Sequence, residues 1–489
     1  MWELFLKHYP TISLVFIILL SVFTIVRIIM DTNNSAKTMA YILLVFLFPI
    51  GGAVIYFAFG VNYRRRKLFS KKIILNEDLF TKIEDQLSEA SLEALNEGHE
   101  NIKGNEDLIR LLLKDSKAPL SYNKVKLLIN GEEKFAAVLQ ALESAELFIH
   151  MEYYIFDDDE IGNKIINLLK VKAQQGVTVR FIYDDFGSHG LADDTIATMK
   201  DAGIQVFPFF EVKFYLLANR INYRDHRKII IVDGLVGFTG GINVSDRYIN
   251  DGDAERLYWR DTHVMIEGPA VNSLQYHFIA NWNFCTDETL EINRMFFPNI
   301  FEKKENHEDL VQIIAGGPDY PTSGIMLSFF TAIVNAKERV FITSPYFVPN
   351  ESIYDALKKA ALSGKDTRLL LPGISDSKIV NAAARSYFKD LLACGVRIFL
   401  YQKGFIHAKT IVVDDNLSMV GSANMDARSF DLNFEINAVV YSKKICKELN
   451  EAYLNDINYS VELSAKEWEK RAWWRELFDD IARLLSPLL

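Results

Sequence analysis

Cysteine is scarce in this chain: three in 489 residues, at positions 285, 394 and 446. They lie far apart, and no C-x-x-C pair or zinc-ligand spacing occurs. A disulfide framework is therefore excluded, and a reducing compartment is expected. Surplus positive charge is missing too, because 54 Lys and Arg face 64 Asp and Glu for a formal net charge of -10. Nucleic-acid binders usually carry a basic footprint, so this balance argues against a nucleic-acid partner.

Charge is absent altogether from two N-terminal stretches, Tyr9 to Val26 and Thr38 to Tyr63. About 20 apolar residues cross a bilayer as a helix. Residues 1–63 therefore read as a transmembrane hairpin, with spans at about 9–29 and 38–60 and a short loop around Asp31 to Lys37. Pro49, Gly51 and Gly52 are expected to kink the second span. A cleaved signal peptide is the alternative for the first, disfavoured by Arg27 and by the lack of a small-x-small site. The cluster Arg64-Arg65-Arg66-Lys67, followed by Lys71-Lys72, belongs on the cytoplasmic side by the positive-inside rule. Both the N-terminus and the large C-terminal part are then cytoplasmic. The cluster also suits contact with anionic membrane lipids. Residues 64–120 are read as this basic juxtamembrane segment plus a charged helical linker, as in Ile83 to Glu89.

What is present twice is H-x-K-x4-D. His226, Lys228 and Asp233 form one copy; His407, Lys409 and Asp414 form the other, 181 residues later. A G-x-x-N turn begins seven positions past each aspartate, as Gly240-Gly241-Ile242-Asn243 and Gly421-Ser422-Ala423-Asn424. One such motif arises readily by chance. Two copies with matching tails point to a duplicated half. Paired histidines and lysines suit transfer of a phosphoryl-centred group through a covalent intermediate. One histidine attacks phosphorus, the lysines hold the anion, and the other histidine protonates the leaving alcohol. The residues alone leave open which histidine attacks.

The flanking pattern agrees with duplication. Strands are expected at Val125–Ile129, Leu147–Phe156, Val177–Tyr183 and Ile204–Phe207, with helices at Glu132–Ala145, Gly162–Ala173 and Asp194–Ala202. The second half repeats this with strands at Val311–Ala315, Val340–Phe347, Thr367–Leu371 and Val396–Tyr401, and helices at Met326–Ala336, Ile353–Leu362 and Ser377–Ala393. Such alternation predicts an α/β fold with a largely parallel sheet. Two homologous lobes, 121–310 and 311–489, would be related by a pseudo-twofold axis. The match of Phe148-Ile149-x-x-x-Tyr153 to Phe341-Ile342-x-x-x-Tyr346 supports the repeat.

In a strand, residues i and i+2 share a side. His226 with Lys228, and His407 with Lys409, are thus expected to face one pocket. Asp233 and Asp414 fall at the far ends of their strands and are expected to shape the site by hydrogen bonding. Gly241, Asn243, Ser422 and Asn424 are expected to bind phosphate oxygens. Asp261 and Glu435 each open the next apolar strand and are placed to reach back and orient a histidine. Ordinary strand-end carboxylates are the alternative. The aromatic and basic run Glu211 to Arg224 reads either as a membrane-facing lip or as a buried loop. The run from Trp468 to Leu489 is read as a C-terminal amphipathic helix, interfacial or packed on the second lobe. His263, His277 and His307 have no motif around them and read as structural.

On its duplicated H-x-K-x4-D motifs and G-[GS]-x-N tails, the chain resembles the phospholipase D superfamily over roughly residues 120–489. The N-terminal hairpin, Ser344-Pro345-Tyr346-Phe347-Val348-Pro349 and Ala482 to Leu489 make it similar to the bacterial cardiolipin synthases within it. That resemblance implies a metal-independent phosphatidyltransferase of the bacterial cell membrane, with no cofactor. A phosphatidyl group would be taken from one phosphatidylglycerol, held on a histidine and passed reversibly to a second, giving cardiolipin and glycerol. It implies His226 as nucleophile and His407 as acid, then base. The alternative is a hydrolase of the same fold that releases phosphatidic acid. Gly241 stands where the second tail has Ser422, so equal roles for the two tails are in doubt.

Overall fold

The computed structural model describes residues 2–31, 35–57, 91–93, 95–96, 98–209, 223–250, 252, 256–291, 293–298 and 307–484. The basic cluster at 64–72, the charged stretch at 83–89, most of the 211–224 run and the last five residues lie outside them. The chain forms two compact units.

In the first unit, helix Trp2–Asp31 includes a 24-residue apolar stretch, His8–Asp31, long enough to cross a bilayer. The second charge-free stretch is instead two shorter helices, Ser35–Leu47 and Pro49–Ile55. The break falls at Phe48 because Pro49 has no N–H to donate and its ring crowds the preceding turn. Gly52 is needed there, since a Cβ would lie 2.7 Å from Leu44 O and the Val45 backbone. Among the described residues, one helix rather than two is long and apolar enough to cross a membrane by itself.

The second unit is built on strands β1 (Ser121–Ile129), β2 (Phe148–Tyr153), β3 (Thr178–Asp184), β4 (Gln205–Phe209), β5 (Lys228–Val232), β6 (Val236–Gly240), β7 (Tyr258–Arg260), β8 (Thr262–Glu267) and β9 (Asp309–Gly316). They are followed by β10 (Arg339–Thr343), β11 (Phe347–Val348), β12 (Asp366–Pro372), β13 (Arg397–Tyr401), β14 (Gly404–Ile406), β15 (Thr410–Val413), β16 (Leu417–Gly421), β17 (Met425–Asp426), β18 (Glu435–Tyr441) and β19 (Ser460–Glu462). Fifteen of these form one sheet in the order β19-β13-β12-β10-β15-β16-β18-β9-β1-β8-β6-β5-β2-β3-β4. Reading outward from the antiparallel β1–β9 pair, each half repeats the other: β8, β6, β5, β2, β3, β4 against β18, β16, β15, β10, β12, β13. Two buried hydrophobic clusters, one per lobe, flank the sheet. Helix Glu106–Asp115, from the region read as linker, buries Leu108, Ile109 and Leu112 in the second cluster.

The sheet is mixed rather than largely parallel. Parallel pairing within it is confined to β2–β3–β4 and β10–β12–β13, where helices make the crossovers. The motif strands enter as tight hairpins, β5–β6 and β15–β16, which are antiparallel by construction. Asp233 and Gly234 turn the first hairpin at φ 52° and 67°, a left-handed pair that matches strand twist. Strand β4 runs through Pro208, tolerated because β4 is the sheet edge. The helix expected over Ser377–Ala393 is two, Lys378–Arg385 and Phe388–Ala393.

Register also corrects the internal match. Ile149 faces Val232 and Val340 faces Val413, so Ile149 corresponds to Val340, two residues from the pairing suggested by local similarity.

Candidate functional site

His226 and Lys228 sit at the mouth of β5, and His407 and Lys409 at the mouth of β15. Each lead-in segment runs beside the segment that precedes the other lobe's carboxylate. His226 N donates to Phe434 O at 2.9 Å, Phe434 N donates to Arg224 O at 2.8 Å, and His407 N donates to Arg260 O at 2.7 Å. Strand β14 pairs in parallel with β7 for the same reason. The carboxylates therefore cross over. Glu435 holds His226 Nδ1 with both oxygens at 3.0 Å, and Asp261 Oδ2 holds His407 Nδ1 at 2.7 Å. From sequence, each carboxylate is expected to reach back from its own motif. In the structure each serves the opposite lobe's histidine. With Nδ1–H given to a carboxylate, Nε2 is the nitrogen left for chemistry on both rings.

All four basic groups are buried, and burial dominates their ionisation. It brings His226 down to about 4, although Glu435 opposes this and Lys228 adds to it. His407 falls to about 3, through burial and then Lys409, against Asp261. Lys228 falls to about 7 and Lys409 to about 8, each through burial. Each lysine ammonium also donates to the carbonyl of its own motif histidine. Burial alone would raise Glu435, yet His226, Lys228 and the Ser422 hydroxyl together pull it below the usual carboxylate range. Near neutral pH the pocket thus holds two neutral imidazoles between lysines poised to gain or lose a proton. An arriving phosphodiester would favour the charged form of each.

The G-x-x-N tails do not present their side chains as expected. Ser422 Oγ donates to Glu435 Oε2 at 2.5 Å and accepts from Ile436 N at 2.9 Å, so it braces the carboxylate rather than facing the pocket. Gly241 occupies the matching place beside Asp261, where a Cβ would lie 2.2 Å from Oδ1. Asn243 is consumed internally: Oδ1 accepts from Ile155 N at 3.2 Å and Nδ2 donates to Tyr248 Oη at 2.9 Å. Only Asn424 keeps a buried side-chain oxygen without a partner.

Asp233 and Asp414, grouped from sequence with the catalytic residues, stand apart from the histidines. Five steps along β5 separate Lys228 from Asp233, roughly 16 Å of extended chain. Asp233 accepts from the N–H groups of Glu146, Leu147 and Phe148, each at 2.8 Å. Asp414 does the same for Lys337, Glu338 and Arg339 at 2.9, 2.8 and 3.0 Å. They tie the hairpin tip to the neighbouring strand.

Other site residues escape a motif search. The Tyr154 ring lies 4.8 Å from the His226 ring, and Tyr248 and Trp259 flank His407 at 5.9 and 5.6 Å. Lys134 is buried over the rings of Phe135 and Tyr153, with Nζ 3.4 Å from Asn243 O. Its one sequence signal is a lysine in the apolar stripe of helix Asn130–Glu143, beside Phe135 and Val138. His263 is buried behind the first tail, where a Cβ on Gly240 would meet its Nδ1 at 2.5 Å; Asn437 holds that place behind Gly421. Among the described residues, no three His, Cys, Asp or Glu side chains group as metal ligands.

Two lobes that each hold the other's histidine by a carboxylate, with the lysine of each acting on the other's histidine, define a phospholipase D-like phosphodiester-transfer architecture. A family profile described as "Cardiolipin synthase, PLD-like domain" matches residues 138–282 and 329–457, and one described as "Phospholipase_D-nuclease N-terminal" matches 19–60. The chain is 41% identical over 98% of its length, and 94% of the relative, to the cardiolipin synthase of Alkalihalophilus pseudofirmus. It is 39% identical to cardiolipin synthase 2 of Bacillus anthracis, over 94% of this chain and 88% of that one. It is 38% identical to the cardiolipin synthase of Listeria innocua, over 97% and 98%. The chain belongs to the cardiolipin synthase family of the phospholipase D superfamily. The fold alone is shared with a solved phosphatidylserine synthase from Haemophilus influenzae, at TM-score 0.59 and 14% identity over 78% of this chain and 100% of that one.

Proposed function

We propose that this protein makes cardiolipin from two phosphatidylglycerol molecules. The observation that carries this reading is the crossed pairing of His226 with Glu435 and His407 with Asp261, which ties the two buried motifs to each other. His226 Nε2 attacks the donor's phosphorus and the bond to the glycerol oxygen breaks. As the anionic donor enters, His407 Nε2 takes up a proton from solvent; it delivers that proton to the leaving oxygen, and glycerol departs. The second phosphatidylglycerol then gives its terminal hydroxyl proton to His407, its oxygen attacks phosphorus, and the bond to His226 breaks. Lys228 and Lys409 hold the non-bridging oxygens, and no metal or nucleotide takes part.

Both imidazoles are neutral at rest, so the flanking groups choose between their roles. The His407 side is lined by acceptors: Asp376 and Asp426 act on Lys409, and Tyr346 donates to Asp376 at 2.6 Å. Such a flank favours the charged form of Lys409 and suits a polyol headgroup. The histidines are only 8% and 7% exposed, and a water-poor pocket favours an alcohol over water as acceptor.

Membrane placement follows the same proposal: an N-terminal hairpin with two spans and a catalytic unit on the cytoplasmic side. Helix Trp473–Leu484 supplies a second contact with lipid. Asp479 anchors its inner side to Arg385 and Arg471 at 2.8 and 2.6 Å, and Ala482 packs on Ala382 and Ala383. Its other side leaves Trp473, Trp474, Leu477, Phe478 and Ile481 exposed, Trp473 by 73%, a composition that suits the bilayer interface. Trp468, by contrast, packs on Phe388.

The test is incubation of detergent-purified protein with labelled phosphatidylglycerol, without added metal or nucleotide. Cardiolipin plus free glycerol is expected. Phosphatidic acid alone would make water the acceptor and the protein a hydrolase.

A further inference from the structure

Alternation in the extended lead-in to β5 reaches one step beyond the motif. Arg224, His226 and Lys228 all act on the Tyr154 ring, while Asp225 and Arg227 both act on Glu152. The matching row in the second lobe is Phe405, His407 and Lys409, so a guanidinium stands where the other lobe has a benzene ring. Arg224 is 3% exposed, and both of its terminal nitrogens are buried without a hydrogen-bond partner.

Such a group demands an explanation, because a buried guanidinium normally finds a carboxylate or carbonyls. Asp184 is the leading charge acting on it but makes no hydrogen bond to its terminal nitrogens; that carboxylate accepts instead from the N–H groups of Phe186, Gly187 and Asp225 at 3.1, 2.8 and 2.9 Å. Arg224 instead lies over the Phe186 ring at 4.2 Å, which orients its plane but leaves its donors unused. Tyr154, the ring against His226, feels Arg224 and Arg428 alongside Asp184 and Glu435. The His226 side of the pocket thus carries two guanidinium groups that the His407 side does not match with its Asp376 and Asp426.

We propose that Arg224 binds the phosphodiester of the second, acceptor phospholipid. This rests on the phosphatidyl-transfer reading above. Two steps along an extended strand cover about 6.6 Å, a spacing similar to that which a three-carbon bridge sets between two phosphorus atoms. With the donor's phosphorus at His226, an acceptor phosphate on Arg224 brings the far hydroxyl of its own glycerol to the reacting centre. The guanidinium therefore selects an anionic phosphoglycerol over free alcohol or water.

Two assays on Arg224→Met separate this role from the core chemistry. One follows cardiolipin formation from phosphatidylglycerol, the other exchange of labelled free glycerol into phosphatidylglycerol, which uses the same intermediate and a neutral acceptor. Cardiolipin formation is expected to fall ~30-fold or more, as for loss of a buried charge pair. Glycerol exchange stays within about threefold by the same reasoning, and Arg224→Lys recovers part of the lost synthesis. Equal loss of both activities, or loss of neither, overturns the assignment. Wild-type protein that performs neither reaction would instead sink the transfer reading itself.

Discussion

His226 leans on a glutamate that a serine hydroxyl holds in place; His407 leans on an aspartate held by the Thr262 N–H at 2.7 Å, with a glycine where the other lobe has the serine. The longer carboxylate is braced by Ser422, and the shorter one fits because position 241 has no side chain. One flank sets Arg224 and Arg428 beside Asp184, while the other has Asp376 and Asp426, with Tyr346 bonded to Asp376. Duplication supplied two similar half-sites, and under the proposed mechanism they take unlike tasks: holding a covalent phosphorus on one side and shuttling a proton on the other. Glycine and serine at one repeat position thus reflect carboxylate length rather than phosphate contact.

The largest expected effects treat the halves alike. His226→Ala and His407→Ala should each abolish turnover, by roughly 10⁴-fold or more, because residues acting as a unit fail together. Substantial cardiolipin synthesis by both single variants would refute a shared pocket. Next come the crossed carboxylates. Glu435→Gln and Asp261→Asn should each lower kcat by about 10²–10⁴-fold, as loss of a histidine-orienting carboxylate does. Solvent proton-inventory measurements should show the change in the glycerol-release step for Asp261→Asn.

Exchanging the tail residues sharpens the contrast. Gly241→Ser forces a Cβ to within 2.2 Å of Asp261 Oδ1 and should cost on the order of 10²-fold in kcat through the misplaced carboxylate. Ser422→Gly removes one hydrogen bond to Glu435 and should cost roughly fivefold to tenfold. Comparable rates for the two variants would contradict unequal bracing.

A smaller effect is expected in the pH profile. Lys228 and Lys409, brought by burial to about 7 and about 8, lose their protons as pH rises through those values. Anion binding weakens accordingly, so kcat/KM should decline between pH 7 and 8 rather than near the ordinary lysine range of about 10.4. A profile flat to pH 9 would count against the lysines as phosphate holders. Smallest for catalysis is Asp233→Ala. It removes an acceptor of three N–H bonds, so stability should drop by about 2–3 kcal/mol in chemical denaturation. Activity of the folded enzyme should barely change.

Much of this was legible in the chain. Helical and strand periodicity placed the repeated core elements, and i, i+2 geometry put each histidine with its lysine. Three features were not legible. The crossing of Asp261 and Glu435 depends on segments pairing between lobes, as β7 with β14, which no local pattern records. The tails look like phosphate loops by composition, yet Asn243 and Ser422 spend their hydrogen bonds on neighbours brought in by the fold. The second apolar stretch counts as long enough by composition, but Pro49 divides its helix. Lys134 was missed for a simpler reason, since a single charge on an otherwise apolar face carries meaning only once its surroundings are known, and Arg224 because it opens the charged run Arg224 to Lys228.

The most direct test of unequal halves is to locate the covalent intermediate. Protein turning over phosphatidylglycerol labelled at phosphorus is quenched in alkaline denaturant, which preserves phosphorus–nitrogen bonds, and its peptides are mapped by mass spectrometry. Label on His226 alone is the predicted result; label on His407 would contradict the assignment of the two halves.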